Sequence, residues 1–141
     1  MYAAIDLSKY IVAKCINDGH MISNLQLQKI LFYIQKTFLQ SNKVAFRDEI
    51  EAWRFGPVVP NVYYHFCGYG AMPISNVARD YGYIDYNDMR IIDGIVNEKR
   101  DLDPWILVAE THKPNGAWNM VYNGGAGNRK VIPVDLIRSA G

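Results

Sequence analysis

Residues 23 to 40 read SNLQLQKILFYIQKTFLQ, and this stretch decides the fold. Ser23 is suited to cap a helix N-terminus, and Leu27, Ile30, Leu31, Ile34 and Phe38 follow at the three-and-four spacing of a buried stripe. At roughly 100° per residue, Leu25, Phe32 and Leu39 form a second apolar strip, leaving Gln26, Lys29, Tyr33 and Lys36 as the polar sector. A helix that is apolar on two sides has to be packed between neighbours. The pattern therefore predicts a mostly α (α+β) fold: a compact helical domain around a central helix at about residues 24-40, with a small short-stranded β element.

Upstream, Leu7, Ile11 and Cys15 share one helical face, with a start near Asp6 or Ser8 and Gly19 as the residue just past the end. Downstream, Ile50, Ala52 and Phe55 alternate with Glu51, Trp53 and Arg54, the period of an extended segment. Pro57 and Pro60 push their predecessors out of the helical region, so the chain should stay extended to Val59. Pro60 then opens a short helix carrying Val59, Tyr63 and Phe66 inward and stopping at Gly68 or Gly70. Residues 71–83 look irregular. Asp85 with Asp88 resembles a capping box for a helix whose inward stripe is Met89, Ile92, Ile95 and Val96. Asp103-Pro104 repeats the start signal, and a strand-like Val131-Ile132 precedes a last helix from Pro133.

At 141 residues the chain has the usual length of one domain, and no repeat or proline-rich linker divides it. Its net charge of +1 and the absence of a basic run longer than Lys99-Arg100 or Arg129-Lys130 argue against a nucleic-acid partner, whose affinity would come from neutralised phosphates. Asp6, Lys9 and Lys14 interrupt the N-terminal apolar residues, so neither a leader peptide nor a membrane span is expected, and the cytoplasm is the expected location.

Catalytic and metal chemistry find little support. Cys15 and Cys67 are far apart, and His20, His65 and His112 lack ligand spacing; His65 and Cys67, two apart on a helix, point to different faces, so no metal and no cofactor is expected. Asp48 or Glu51 with His65 would be the components of a small hydrolase or transferase, but no nucleophile accompanies them. The Gly124-Gly125-Ala126-Gly127 run has the composition of a phosphate cradle without the Lys-Ser/Thr that should follow, and reads as a turn. No catalytic residue is assigned.

Three strings carry a likeness: LQLQKILFYIQ at 25–35, EAWRFGPVVPNVYYHF at 51–66 and THKPNGAWNMVYN at 111–123. In this order they closely resemble the Panacea domain, the family of SocA-like antitoxins and phage-associated GepA-like proteins, over nearly the whole chain. The resemblance implies a single domain at 1-141 that neutralises a cognate toxin protein by direct binding, in some members as an adaptor presenting the toxin to a protease. Some relatives carry an added DNA-binding segment, and none is expected here. The alternative within the same resemblance is a phage or mobile-element protein that inhibits a host protein.

The motif residues themselves specify core and turns, so the partner-binding surface is expected elsewhere. On the helix opened by Pro60, Asn61, Tyr64 and His65 are left pointing outward. With Tyr69, Met72, Tyr81 and Tyr83 beyond them they make an aromatic, methionine-containing surface with few charges, the composition found at the centre of protein interfaces.

Overall fold

A computed structural model describes residues 1–141. Seven helices follow the chain as α1 (Ala4–Asn17), α2 (Asn24–Gln40), α3 (Pro60–Phe66), α4 (Tyr86–Lys99), α5 (Pro104–Thr111), α6 (Ala117–Tyr122) and α7 (Val134–Ala140). Between α2 and α3, β1 (Glu51–Trp53) and β2 (Gly56–Val58) pair as an antiparallel hairpin with Ala52 opposite Pro57. The α2 helix touches α1, α3, α4, α5, α7 and β2, which is the central position its two apolar strips require.

Ser23 and Gln26 close a reciprocal capping box at the start of α2, each side chain bonding the other's backbone N–H. Leu27, Ile30, Leu31 and Ile34 are completely buried. So are polar residues of the same helix. The Gln35 side chain accepts from Ala45 N–H at 2.8 Å and donates to the Phe46 carbonyl at 2.8 Å, while Gln28 accepts from Val59 N–H at 2.9 Å. These amides pair backbone groups that a helix packed on an irregular segment would otherwise strand without partners.

The α1 helix begins at Ala4, earlier than Asp6 or Ser8, because the Asp48 carboxylate accepts from Ala4 N–H at 2.8 Å and caps the helix from outside its own sequence. On α3 the inward residue is Val62, completely buried, rather than Tyr63; the Tyr63 ring turns outward onto Trp53, with ring centroids 5.0 Å apart. Asp85 caps α4 by accepting from Asn87 and Asp88 N–H, but Asp88 does not reciprocate. Its buried carboxylate takes the Tyr2 hydroxyl and the Lys43 ammonium instead; burial would raise it, and these two donors hold it below the usual carboxylate range.

Sequence periodicity misses α6 altogether. It has six residues and no side-chain cap, and it is held by Trp118, whose ring is stacked between His112 and Tyr122 and whose indole N–H donates to the Trp53 carbonyl at 2.8 Å. The glycine run is a turn: Gly127 N–H bonds the Tyr122 carbonyl, and a Cβ at Gly127 would fall 1.7 Å from the Val121 oxygen. The strand-like 131–132 segment lies along β1, with Ile132 N–H bonded to the Ile50 carbonyl and Arg129 N–H to that of Ala52.

Candidate protein-binding cleft

The hairpin rises against the first turns of α2, and the end of α3 and the start of α5 stand on either side. Together they enclose an open cleft of about 350 Å³. Asn24, Gln28 and Lys29 of α2 form its floor, Trp53, Arg54 and Phe55 one wall, and Tyr63 and Trp105 its flanks. Trp105 is 57% exposed and Phe55 45% exposed, and the two rings meet edge to face with centroids 5.3 Å apart. Exposure of Phe55 reverses the inward position its alternation with Ala52 implies; the hairpin turn at Arg54-Phe55 breaks the strand period just before it.

Lys29 is the unexpected member. Placed in the polar sector by its spacing, it is nonetheless completely buried, because the neighbours on that side of α2 are β2 and α5 and not solvent. Its ammonium donates to the Pro57 carbonyl at 3.1 Å and forms no ion pair, and burial alone pushes its pKa down to about 7. Gly56 makes room for it: at φ +115°, a Cβ there would lie 3.1 Å from Lys29 Nζ and 2.9 Å from Thr111 Oγ1. Burial, and then the Lys29 charge, also lower the pKa of His112.

None of the residues lining the cleft is Asp or Glu. Arg54 lies over the Phe55 ring and Arg129 over the Trp53 ring at 4.2 Å from its centroid. The carboxylate nearest this wall belongs to Glu51, which accepts from Trp53 Nε1–H at 2.9 Å. Arg129 also donates to the Tyr64 hydroxyl at 3.1 Å, so Tyr64 continues the aromatic wall outward.

The six residues expected to bind the partner are not brought into one patch. Tyr64 and His65 are exposed on α3, and Met72, 68% exposed, follows Gly70 and Ala71, which line the cleft. Tyr69 is half-buried against the core and donates to the Asn76 carbonyl. Tyr81 is half-buried against Tyr10 of α1, whereas Tyr83 stands 80% exposed. Sequence reasoning passed over Lys29, Phe55 and Trp105. The signal available for Trp105 was the position just after the Asp103-Pro104 start, where a first-turn aromatic has no preceding turn to cover it.

Asp48, Glu51 and His65 do not form a site. Asp48 is engaged at the start of α1 and with Asn61, Glu51 with Trp53, and the His65 ring packs on Phe66. No group of three His, Cys, Asp or Glu side chains lies close enough to hold a metal ion. No helix is long and apolar enough to cross a membrane.

A family model described as "Antitoxin SocA-like, Panacea domain" matches residues 27–119, a span that contains Lys29, the hairpin, α3 and Trp105. The chain belongs to this family. Antitoxin SocA of Caulobacter vibrioides (strain NA1000 / CB15N) is 32% identical over 120 residues, covering 73% of this chain and 61% of the relative. The chain thus spans less than two thirds of the length of that curated relative. No solved structure matches it. The cleft-lining residues Trp53, Arg54, Phe55, Val58 and Tyr63 all fall within the matched span and within the string at 51–66 that carries the resemblance.

Proposed function

We propose that this Panacea domain, acting as one unit over residues 1–141, neutralises a toxin protein by binding it directly, without catalysing a reaction. The observation that carries this reading is the cleft: solvent-exposed Trp105 and Phe55 border a concavity whose charged lining is cationic, and desolvated aromatic rings beside charged groups are the usual anchors of a protein interface. Membership of an antitoxin-like family supports it. Tyr64, His65 and Met72 would extend the contact along α3 and its following turn, and Tyr69, Tyr81 and Tyr83 would take part where the bound protein reaches around the irregular 71–83 stretch.

The experiment is coexpression with the small protein encoded beside its gene. Rescue of growth together with co-elution as a defined complex is the expected result. A toxin level that stays constant during rescue indicates occlusion, and one that falls only when a host protease is present indicates delivery as an adaptor. Growth arrest unaffected by the chain would overturn the reading.

A further inference from the structure

The α4 helix has one long side without a neighbour. Its 14 residues span about 21 Å, and Ile92 and Val96 are completely buried where the helix packs on the body of the molecule. From Tyr86 through Arg90, Ile91 and Gly94 to Asn97 and Glu98, exposed residues recur with the helical period along the whole outer face. Gly94 is in the middle of that stripe. Its backbone is helical, so conformational freedom is not needed there, and a Cβ would meet nothing within 4 Å. A glycine inside a helix weakens it relative to alanine, and nothing in the single chain accounts for this one. What Gly94 offers is room for a second backbone to come close. The only two charges of the stripe lie four residues to either side of it, Arg90 before and Glu98 after. Arg90 forms no ion pair, and the nearby Asp93 carboxylate is taken by the Tyr10 hydroxyl. Glu98 is 72% exposed and has only Lys99, 3.9 Å away, whose ammonium is closer to Glu110 and lies over the Tyr33 ring.

We infer that this face of α4 is where two copies of the chain associate, helix antiparallel to helix, about a two-fold axis at Gly94. In that arrangement the residue four before Gly94 in one copy meets the residue four after it in the other, so Arg90 and Glu98 make two identical ion pairs. A parallel pairing would set Arg90 against Arg90 and Glu98 against Glu98, which counts against it. At the axis the two glycines let the backbones approach, and Ile91, 45% exposed, packs across the crossing. Tyr86, 69% exposed and eight residues out, reaches the far end of the second copy's helix. No residue of this face lines the cleft between the hairpin and α5, so the dimer keeps two clefts open. One helix face from each copy is a small interface carrying exposed charge pairs, so the association is weak and falls with salt. The inference goes beyond the toxin-binding function and does not depend on it.

Sedimentation velocity on the full chain alone, from low micromolar to near-millimolar concentration, should show a reversible monomer–dimer equilibrium that weakens with added salt. Arg90→Glu and Glu98→Arg should each weaken association by about tenfold or more, because each sets like charges against one another. The double reversal, or an equimolar mixture of the two single variants, should restore it. Gly94→Leu should abolish the dimer while the melting temperature of the dilute monomer stays the same or rises, since the new side chain enters open space and replaces a helix-weakening residue. A chain that stays monomeric throughout the series would overturn the inference. A dimer indifferent to these variants but dispersed by Trp105→Ala would also overturn it and place the contact at the cleft, as would single reversals that the double reversal fails to rescue. A monomeric chain whose toxin complex is weakened by Arg90→Glu would give this face to the toxin and exclude the second copy. The measurement uses no toxin, so loss of the dimer leaves the direct-binding function standing, and failure to neutralise leaves the dimer untouched.

Discussion

Two aromatic regions of this protein look alike in sequence and differ in structure. The irregular stretch from Tyr69 to Tyr83 carries three tyrosines and a methionine among few charges, and the hairpin with the start of α5 carries Trp53, Phe55 and Trp105. In the first, the side chains are dispersed: Tyr69 and Tyr81 are half-buried against the core, and Met72 and Tyr83 project into solvent. In the second, the hairpin and α5 bring Phe55 and Trp105 edge to face beside a concavity that Trp53 also lines. Composition measures how much apolar surface is available. Whether that surface can desolvate a partner depends on curvature and on the charge beneath it, and only the cleft has both.

The largest effect that would separate the two regions is electrostatic. Lys29 has a pKa of about 7 in the folded chain against roughly 10.4 when unfolded, so the neutral amine is favoured by folding. As pH falls from about 10 toward 7, the unfolded state takes up a proton that the folded state refuses, and stability declines; below about 7 both states are protonated and the full penalty remains. Urea unfolding of wild type and Lys29→Met should therefore show the wild type gaining about 3 kcal/mol relative to the variant between pH 7 and pH 10. A pH-independent difference would mean that the amine is charged and satisfied when folded, and the contrast between the regions would lose its electrostatic half.

Replacing Pro57 and Pro60 together by alanine should lower stability by roughly 1–3 kcal/mol, since the cleft wall depends on a restricted backbone that the unfolded chain would then explore more freely. Thermal unfolding checks this, and an unchanged midpoint would mean that the wall is held by side chains alone.

Interface truncations test function directly. Trp105→Ala should weaken toxin binding by about 2 kcal/mol, near thirtyfold in Kd, measured by calorimetry on the purified pair. The double variant Tyr64→Ala with Tyr83→Ala should also weaken neutralisation, and a loss larger than that of Trp105→Ala would place the main contact on α3 and the irregular stretch, reversing the ranking of the two regions.

The smallest expected change is in stability of the projecting residue: Tyr83→Ala should alter it by less than about 0.5 kcal/mol, whereas Tyr81→Ala, which strips a ring from Tyr10, should cost more. Similar values for both would mean that Tyr83 covers the core after all.

By itself, the sequence determined the helix starts and the central stripe, which are encoded within a turn or two of chain. Ser23, Asp85, Asp103-Pro104 and Pro60 mark their helix starts because capping and φ restriction act over two or three residues, and the stripe from Leu27 to Phe38 marks the central helix because its period is that of the backbone. What lies opposite a residue is decided elsewhere. Asp48 reaches back to start α1 early, Tyr63 yields the inward place to Val62, and Trp118 fastens a helix too short to show a period. Of the cleft, sequence supplied the prolines and the aromatic content, but not Lys29, since a lysine at helical spacing looks the same whether water or a hairpin covers it. Tertiary structure alone set a glycine, a proline carbonyl and an α5 threonine around that amine, and so turned a residue of the polar sector into a completely buried one.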